Sequence, residues 1–406
     1  MSTQPSPHTQ EPTSQSTTLD SICTLIKSGS IKNITVLAGA GLSTSTGIPD
    51  FRSPSTGLYA RLAPLQLPYP EAIFHSSYFK HTPEPFYAIA RARHPRNLKP
   101  TIGHAFLALL ERKGVLRFIF TQNIDGLERD AGVSRGKVLN VHGTWESQYC
   151  NKCRADYPDE LMKGAIEKGD VPICTVEGCG GVVRPRIVMF GESLPKEFDE
   201  RESEVLPETD LLLVLGTSLK VAPVSVLPRK VKEDVPRVLI NNEKTGDMGS
   251  RPRDILLLGS CDDGAREMAR KLGWETELDE LWREALVRKK ELLQSGGWSD
   301  DGPSLDECIQ KAAEKMQVRM GVSEGHRRML EGHLGEKFKG IILAELAKWY
   351  LGRTYTFLVM GKEGSGKSSF IRYLKYGFDE EKVAIPSPNA ISYLGEMVEY
   401  PSKTEW

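Results

Sequence analysis

The chain has 406 residues, of which 39% are hydrophobic and 26% charged, as in an ordinary soluble globular protein of one large or two to three smaller domains. Lys and Arg total 53 against 54 for Asp and Glu, a formal net charge of -1, so charge gives no case for nucleic acid or a membrane surface as an obligate partner. No apolar run in the sequence reaches the length of a membrane span.

The N-terminal segment has the composition of a disordered tail. Its first nineteen residues are rich in Ser, Thr, Gln and Pro and contain neither Lys nor Arg. An import presequence needs basic residues on an amphipathic helix, and a secretory signal needs an apolar core. We therefore expect residues 1–32 to be a disordered tail, and the protein to reside in the cytoplasm, the nucleus or both.

Several short apolar runs follow, each ending in small or polar residues. Hydrophobicity that is continuous rather than alternating is typical of strands buried on both faces of a parallel sheet. Gly, Asn, Asp or Ser after such strands suits ligand contact at the carboxyl edge of the sheet. The sequence thus predicts an α/β fold with a Rossmann-like parallel sheet. The runs occupy residues 34–38, 117–120, 211–215, 237–240 and 255–258.

Two insertions interrupt the sheet pattern. Residues 57–100 are rich in Pro and aromatic side chains, and residues 144–186 carry a cysteine cluster. Two insertions in one wound sheet predict a small zinc-binding and helical domain beside the large domain, with a cleft between the two.

After residue 273 the pattern changes to charged helices. Leu278, Leu281 and Trp282 follow helical spacing, with Lys, Arg and Glu on the other face. Ser304, with Glu307 three residues later, resembles a capping box that begins another helix. Residues 274–340 are therefore expected to be a helical linker with a thin core.

A glycine loop follows the first predicted strand. Residues 39–43 read Gly-Ala-Gly-Leu-Ser, and the glycines would let backbone N–H groups approach a pyrophosphate at a helix N-terminus. A plain strand-to-helix turn is the alternative for this fragment alone. The Asp-Phe-Arg at residues 50–52 favours ligand binding, because it adds an acid, an aromatic ring and a cation.

Polar side chains also end the second predicted strand. Gln122, Asn123 and Asp125 leave a buried segment, which is costly unless they meet a ligand or one another. An Asx turn is the structural alternative. Further along, His142 lies in a Val-His-Gly-Thr segment. A neutral imidazole is the usual base near pH 7, although a single His is more often structural.

Four of the seven cysteines form two pairs. Two residues separate Cys150 from Cys153, and four separate Cys174 from Cys179. Paired thiolates on two turns are what tetrahedral Zn²⁺ requires, so a structural zinc site is predicted. Paired disulfides or free thiols are the alternatives.

The later strands are followed by polar groups as well. Gly-Thr-Ser at residues 216–218, Asn-Asn-Glu at 241–243 and Cys-Asp at 261–262 each trail a predicted strand. Hydroxyl, amide and carboxylate groups at successive strand ends could cradle a ribose and an adenine.

Together these pieces resemble the sirtuins, and among them the cytosolic branch of class I. The resemblance covers residues 33–273, which we expect to be the catalytic domain. It implies an NAD-dependent protein-lysine deacetylase, with NAD and zinc as cofactors and acetylated histone or cytosolic proteins as partners. The motifs that carry it are Gly-Ala-Gly-Leu-Ser, Ile-Pro-Asp-Phe-Arg-Ser-Pro, Thr-Gln-Asn-Ile-Asp, His-Gly-Thr, the four cysteines, Phe-Gly-Glu-Ser-Leu-Pro and Gly-Thr-Ser.

The resemblance also assigns roles to individual residues. Those implied for the pyrophosphate are Gly39, Ala40, Gly41 and Ser43, and those near the nicotinamide ribose are Asp50, Phe51 and Arg52. Those implied for the ribose and nicotinamide pocket are Gln122, Asn123 and Asp125, and those on the adenosine side are Gly216, Thr217, Ser218, Asn241, Glu243 and Cys261. Val188, Met189 and Phe190 would meet the acetyl-lysine stem and the peptide backbone, and Cys150, Cys153, Cys174 and Cys179 would hold zinc.

The chemistry implied by the resemblance centres on His142 and Asn123 as catalytic residues. The acetyl oxygen displaces nicotinamide from C1′ of the ribose. His142 then acts as general base on a ribose hydroxyl, and water releases O-acetyl-ADP-ribose. Family members that remove acidic acyl groups resemble one another in a Tyr and an Arg three residues apart. Residues 67–74 offer no such pair, which favours an apolar acyl tunnel.

A phosphate-loop motif lies near the C-terminus. Gly361, Gly366, Lys367 and Ser368 form Gly-x4-Gly-Lys-Ser after an apolar run, the context in which such a loop binds nucleotide phosphates. The following residues resemble the start of Arf-like or Gα-like GTPases, but no Asp-x-x-Gly or Asn-Lys-x-Asp follows. We expect residues 341–406 to be a partial, truncated P-loop segment with little GTP binding, because so short a piece cannot bury an adequate core.

Two other functions compete with deacetylation. One is mono-ADP-ribosyl transfer or NAD hydrolysis on the same scaffold, and the other is a non-enzymatic NAD-sensing scaffold. Asn123, Asp125 and His142 are all present, which argues against the scaffold, since loss of one of them would be its expected signature. The apolar acyl segment and the Phe-Gly-Glu motif favour deacetylation over the first alternative.

Overall fold

The computed structural model describes residues 17–47, 51, 57–92, 94, 98–295, 303–319, 356–358 and 397–399. The chain divides into two compact units, residues 1–314 and residues 315–406. Two parts of the second unit are described. One is the end of the helix at residues 305–319, and the other is an antiparallel pair of three-residue strands, 356–358 with 397–399. The predicted phosphate loop, with Gly361, Gly366, Lys367 and Ser368, lies outside the described residues.

The described strands are short, and most of them end next to polar loops. In chain order they are β1 (Ile34–Ala38), β2 (Leu116–Thr121), β3 (Val138–Asn140), β4 (Gly143–Cys150), β5 (Asp156–Tyr157), β6 (Val183–Ile187), β7 (Leu211–Leu215), β8 (Arg237–Asn241), β9 (Asp254–Leu258), β10 (Thr356–Leu358) and β11 (Met397–Glu399).

The described helices range from single turns to one of 21 residues. In chain order they are α1 (Leu19–Lys27), α2 (Leu58–Arg61), α3 (Ser76–His81), α4 (Glu84–Ala92), α5 (Ile102–Arg112), α6 (Leu127–Asp130), α7 (Asp159–Lys168), α8 (Glu197–Val205), α9 (Leu227–Lys230), α10 (Cys261–Leu272), α11 (Glu275–Ser295) and α12 (Leu305–Arg319). None of those within the described ranges is both long and apolar enough to cross a bilayer.

The main sheet has six strands in the order β3-β2-β1-β7-β8-β9. Every neighbouring pair in it is parallel. Counting these strands alone along the chain gives the order 3-2-1-4-5-6, which is that of the Rossmann fold. The predicted Rossmann-like sheet is therefore confirmed, and the strand order reverses between β1 and β7.

Both faces of this sheet are covered, which explains its continuous apolar strands. Every residue of β1 and β7 is buried. Val36 and Leu213 pack on one side with α5 and α10, whereas Leu37 and Leu212 pack on the other with Phe198 of α8. Successive residues of a strand point to opposite faces, so a doubly covered strand needs an apolar residue at each position.

Part of the expected N-terminal tail is a helix. In α1, the spacing of Leu19, Ile22, Cys23 and Ile26 places all four in the main core. The Thr18 hydroxyl caps the helix by accepting a hydrogen bond from the Ser21 N–H. Residues 19–27 thus differ from the disordered tail expected for residues 1–32, because four apolar side chains on one face supply a surface to bury.

The two insertions pack together into a small module. β5, β4 and β6 form an antiparallel sheet in the second insertion. Phe86 of the first insertion stacks on Trp145 of β4, with ring centroids 5.6 Å apart. The hydroxyl of Tyr87 donates to the carbonyl of Val183 in β6. A small domain built from both insertions, as predicted, lies beside the Rossmann-like sheet.

Helix α11 packs onto the main core. Its Leu278 and Leu281 are buried there, and the Trp282 indole N–H donates to the Pro100 carbonyl at 3.0 Å. At the start of α12, the Ser304 N–H donates to Glu307, and the Glu307 N–H donates to the Ser304 hydroxyl. The expected helices and capping box are present, while the boundaries 33–273, 274–340 and 341–406 stay predictions.

Candidate functional site

The glycine loop after β1 lies against the end of β7. A Cβ atom at Gly39 would stand 2.7 Å from Thr217 Cβ, and one at Gly41 would stand 2.6 Å from Gly216 Cα. Gly216 itself has a φ of +58°, in the left-handed region that favours glycine. The close contact between the loop after β1 and the loop after β7 therefore requires glycine at residues 39, 41 and 216.

The loop is also joined to β7 and its exit by backbone hydrogen bonds. The Gly39 N–H donates to Leu215 at 2.9 Å and the Gly41 N–H to Gly216 at 2.7 Å. The sequence led us to expect these two N–H groups to approach a pyrophosphate. In the structure both donate to backbone carbonyls of the fold instead. The loop remains at the point where the strand order reverses, which is where doubly wound sheets bind nucleotides.

The loop after β2 joins the same site through its polar side chains. The Asn123 side-chain amide donates to the Gly39 carbonyl at 3.1 Å. The Ser43 hydroxyl donates to Asp125 Oδ2 at 2.7 Å, and the Thr217 hydroxyl donates to Gln122 Oε1 at 2.6 Å. Three strand-end loops that are distant in sequence therefore meet through Gln122, Asn123 and Asp125.

Asp125 makes both of the contacts weighed from the sequence. Its Oδ1 accepts from the Leu127 N–H at 3.1 Å, which is an Asx turn, while its Oδ2 holds Ser43. Burial raises the pKa of the Asp125 carboxyl, and the hydrogen bonds from Leu127 and Ser43 oppose that rise. The turn and the loop contact coexist because each uses one carboxylate oxygen.

His142 lies between β3 and β4 with a defined tautomer. Its Nδ1 lies 2.9 Å from the Gln122 carbonyl oxygen. A carbonyl oxygen can only accept, so Nδ1 carries the proton and Nε2 keeps its lone pair. Burial lowers the pKa of His142, and the hydrogen bond to the Gln122 carbonyl offsets this only in part. The imidazole is thus a neutral base at Nε2 near pH 7.

The predicted substrate residues connect His142 to the small module. The Val188 N–H donates to the His142 carbonyl at 2.7 Å, and the Phe190 N–H donates to the Phe74 carbonyl at 2.9 Å. Met189 is buried, and its N–H donates to Glu192 at 3.0 Å. Residues 188–190 therefore bridge the Rossmann-like sheet and the first insertion.

The predicted adenosine-side residues follow β7, β8 and β9. Ser218 accepts from the Thr245 hydroxyl through its carbonyl, and the Asn241 side chain donates to the Glu243 carbonyl at 2.8 Å. Cys261 is buried, and burial raises its pKa to about 12, with the neighbouring Asp262 charge adding to the rise. Its thiol is therefore un-ionised and unreactive at neutral pH.

Asp262, which the sequence placed among the polar groups that trail the strands, joins several segments around the glycine loop. It accepts from the Ser45 hydroxyl at 2.7 Å and from the Gly103 N–H at 2.8 Å. It thereby joins the starts of α10 and α5 to the segment after the glycine loop. The sequence reasoning missed two buried neighbours of Asp125, His104 and Glu128.

Phe51 is the described member of the Asp-Phe-Arg motif, while Asp50 and Arg52 lie outside the described residues. The Phe51 ring meets Phe74 edge-on, with centroids 5.7 Å apart, and it also contacts Tyr59. The aromatic residue of the motif thus packs on the first insertion, at the side of the module that also contacts Phe190.

The four predicted metal ligands converge. One sulfur atom from each of Cys150, Cys153, Cys174 and Cys179 lies within 4.8 Å of the others. The Sγ atoms of Cys150 and Cys179 are 3.6 Å apart, as are those of Cys153 and Cys174. A disulfide needs about 2.05 Å, whereas a tetrahedron with zinc–sulfur bonds of about 2.3 Å separates its sulfurs by about 3.8 Å. The arrangement fits zinc and not disulfides.

Comparisons with known proteins agree with this geometry. The model of the Sir2 family matches residues 39–223. The NAD-dependent protein deacetylase hst2-2 of Emericella nidulans is 63% identical over 329 residues, which cover 80% of this chain and 93% of that protein. The NAD-dependent protein deacetylase sirtuin-2 of Danio rerio is 45% identical over 295 residues, covering 68% and 77%. The NAD-dependent protein deacetylase hst2 of Schizosaccharomyces pombe is 43% identical over 263 residues, covering 65% and 79%. The chain belongs to the Sir2 family.

Proposed function

We propose that this protein is an NAD-dependent protein-lysine deacetylase in which His142 is the general base. The single observation that carries the proposal is the His142 tautomer, in which Nδ1 is held by the Gln122 carbonyl and Nε2 keeps its lone pair. A neutral base at the junction of a nucleotide-binding sheet and a small module is what the reaction requires. The names of the relatives support NAD as the co-substrate.

The proposed NAD site is the carboxyl edge of the sheet where β1 and β7 meet. Gly39, Ala40, Gly41 and Ser43 would hold the pyrophosphate, and Phe51 would approach the nicotinamide ribose. Asp50 and Arg52 are assigned to the same ribose from the family resemblance alone. Gln122, Asn123 and Asp125 shape the ribose and nicotinamide pocket, and Gly216, Thr217, Ser218, Asn241, Glu243 and Cys261 line the adenosine side. The hydrogen bonds that join the loops after β1, β2 and β7 to one another support this assignment.

NAD supplies the ribosyl carbon that exchanges its bond to nicotinamide for a bond to the acetyl oxygen. The net reaction consumes NAD, acetyl-lysine and water, and it yields nicotinamide, lysine and O-acetyl-ADP-ribose. His142 Nε2 takes the proton of a ribose hydroxyl, a contribution of roughly 10²–10⁴ in rate for a well-placed imidazole. Asn123, held by the Gly39 carbonyl, orients the reacting groups.

The acetylated peptide enters between the sheet and the small module. Val188, Met189 and Phe190 line this cleft, and their hydrogen bonds reach both sides of it. Extended peptides commonly bind by adding as a strand, since main-chain hydrogen bonds give affinity without reading sequence. We infer that the substrates are acetylated proteins, histone or cytosolic, and that the enzyme acts in the cytoplasm, the nucleus or both.

The zinc ion held by Cys150, Cys153, Cys174 and Cys179 has a structural role. The cluster connects β4 to the turn before β6, and it lies in the small module rather than beside His142. Four thiolates complete the tetrahedron, so no position is left for a water or substrate. The ion therefore stabilises the fold of the module.

Nicotinamide release with and without an acetylated peptide tests the proposal. We expect release that depends on the peptide. In His142→Ala the steps after nicotinamide leaves should fail, so deacetylated peptide and O-acetyl-ADP-ribose should not accumulate. Release that persists without peptide would instead support NAD hydrolysis or ADP-ribosyl transfer. NAD binding without any release would leave the NAD-sensing scaffold.

A further inference from the structure

Two buried ionisable side chains, His104 and Glu128, meet the half-buried Asp125 at the loop after β2. A ring nitrogen of His104 and one carboxylate oxygen each of Asp125 and Glu128 lie within 4.8 Å of one another. His104, on α5, and Glu128, on α6, are 0% and 1% exposed. Neither residue belongs to the site assigned above.

His104 and Glu128 carry unpaired polar atoms. In the part of the chain that the structure describes, His104 Nε2 and both Glu128 carboxyl oxygens lack a hydrogen-bond partner. Nor does any ion pair of the described residues include Glu128, since the adjacent Arg129 pairs with Glu146 and Lys289 pairs with Asp130. An unpaired buried carboxylate is strongly unfavourable, so Glu128 is un-ionised.

The pKa of Glu128 agrees with that inference. Burial and the charge of Asp125 raise it to about 8. The nearby Thr121 hydroxyl, which makes no hydrogen bond of good geometry with Glu128, and the charge of Arg129 oppose that rise only in part. An un-ionised Glu128 places no second negative charge beside the Asp125 carboxylate. Two carboxyl groups this close hold one proton between them, because both cannot ionise at little cost.

The His104 tautomer decides between a proton network and a metal site. The Thr101 backbone N–H donates to His104 Nδ1 at 3.2 Å, so Nδ1 is the acceptor and the proton lies on Nε2. Burial lowers the pKa of His104 to about 4, against the charges of Asp262 and Asp130, so the ring stays neutral. A metal ion would need the lone pair on Nε2, whereas this tautomer offers an N–H donor to the carboxyl groups.

We propose that Glu128 is a positioning residue of the NAD site: as an un-ionised acid beside His104, it leaves the negative charge on Asp125, the carboxylate that fixes Ser43 in the glycine loop. The inference rests on the proposed NAD site. Among the described residues, one side-chain hydrogen bond of Asp125 connects the cluster to the glycine loop. It is the 2.7 Å bond that Asp125 accepts from the Ser43 hydroxyl.

The proposal makes NAD binding sensitive to alkaline pH. The other charged or titratable groups that act on the cluster of His104, Asp125 and Glu128 are Arg129, Asp130, Asp262 and Lys289. Arg129 pairs with Glu146 and Lys289 with Asp130, so ionising Glu128 puts next to Asp125 a second negative charge that no ion pair of the described residues neutralises. Because the protonated form supports binding, affinity is intact below the raised pKa and is lost as pH rises through about 8.

Calorimetric titration of the full chain with NAD, from about pH 6.5 to pH 9.5, tests this. If only protein with protonated Glu128 binds, the wild-type Kd rises about tenfold between pH 7 and pH 9. In Glu128→Gln that rise disappears, whatever the Kd at pH 7. The matched control Glu208→Gln, at an exposed pair with Arg117, keeps the rise. Equal pH dependence in wild type and Glu128→Gln overturns the proposal.

Two further measurements keep the test decisive. In wild-type protein with ¹³C-labelled glutamate carboxyls, one signal should titrate near pH 8, and its absence would contradict the inference even if the variant does not fold. Metal analysis should find one zinc per chain, whereas a second equivalent lost in Glu128→Gln would make the cluster a metal site. Direct binding needs no turnover, so a protein that binds NAD but releases no nicotinamide contradicts the proposed function and not this inference.

Discussion

His142 Nδ1 lies 2.9 Å from the carbonyl oxygen of Gln122, at the end of the strand next to β1. This bond fixes the proton on Nδ1 and the lone pair on Nε2, and it ties the imidazole to a loop whose side chains reach the glycine loop and the end of β7. The base and the proposed NAD site are therefore positioned by the same short segment.

The fall in deacetylation activity at acidic pH should reflect protonation of His142. Burial lowers the pKa of this residue, so the neutral base persists below the ordinary value of about 6.5 for a histidine. Deacetylation should therefore fall only as pH drops below about 6.5. The measurement is kcat/KM against pH. An exposed histidine variant, His81→Ala, should keep the profile, whereas an acid limb well above 6.5 would contradict the assignment.

Removing the Ser43 hydroxyl should weaken NAD binding. Ser43→Ala leaves Asp125 Oδ2 without its 2.7 Å donor, and loss of a hydrogen bond to a charged group costs about 1.5–3 kcal/mol. We expect a rise in Kd for NAD of roughly 10-fold to 150-fold if that cost falls on binding. Ser203→Ala, on the exposed side of α8, is the control. An unchanged Kd for Ser43→Ala would remove Ser43 from the site.

A methyl group at Gly216 should destabilise the sheet edge. Gly216→Ala would collide with the backbone of Gly41 and Leu42, and it would force an L side chain to a φ of +58°. A loss of about 1–3 kcal/mol in the free energy of unfolding is expected. Gly164→Ala is the matched control, since nothing lies within 4 Å of its Cβ position in α7 and alanine favours helix. Denaturant unfolding that ranks the two variants equally would contradict the packing argument.

Loss of one cysteine of the cluster should release the metal. Cys174→Ala removes one of four sulfurs, so the protein should lose its zinc equivalent, and the small module should unfold at lower temperature. Cys308→Ala, outside the cluster, should keep the metal. Elemental analysis and thermal unfolding provide the readouts. A Cys174→Ala protein that retains both zinc and its Tm would show that the cluster is not the metal site.

The Rossmann-like sheet could be predicted because its strands are buried on both faces. Continuous apolar runs such as residues 211–215 correspond directly to β7. β3 was missed because it has only three residues and carries Asn140. Helix α1 was missed because the polar composition of the preceding residues hid the spacing of Leu19, Ile22, Cys23 and Ile26.

The contacts within the site could not be predicted. Ser43 and Asp125 are 82 positions apart, and Gln122 and Thr217 are 95 apart. Such pairs depend on which strands become neighbours, and local sequence does not specify that. The reason for the glycines was also only partly visible, because Gly39 and Gly41 are constrained by the backbone at Gly216, whose position follows from the crossover to β7.

The central claim is tested most directly by product stoichiometry. Wild-type protein incubated with NAD and an acetylated peptide should form nicotinamide, deacetylated peptide and O-acetyl-ADP-ribose in equal amounts, as measured by mass spectrometry. His142→Ala should form little of the last two. Nicotinamide and ADP-ribose without deacetylated peptide, or ADP-ribose attached to the peptide, would contradict the account.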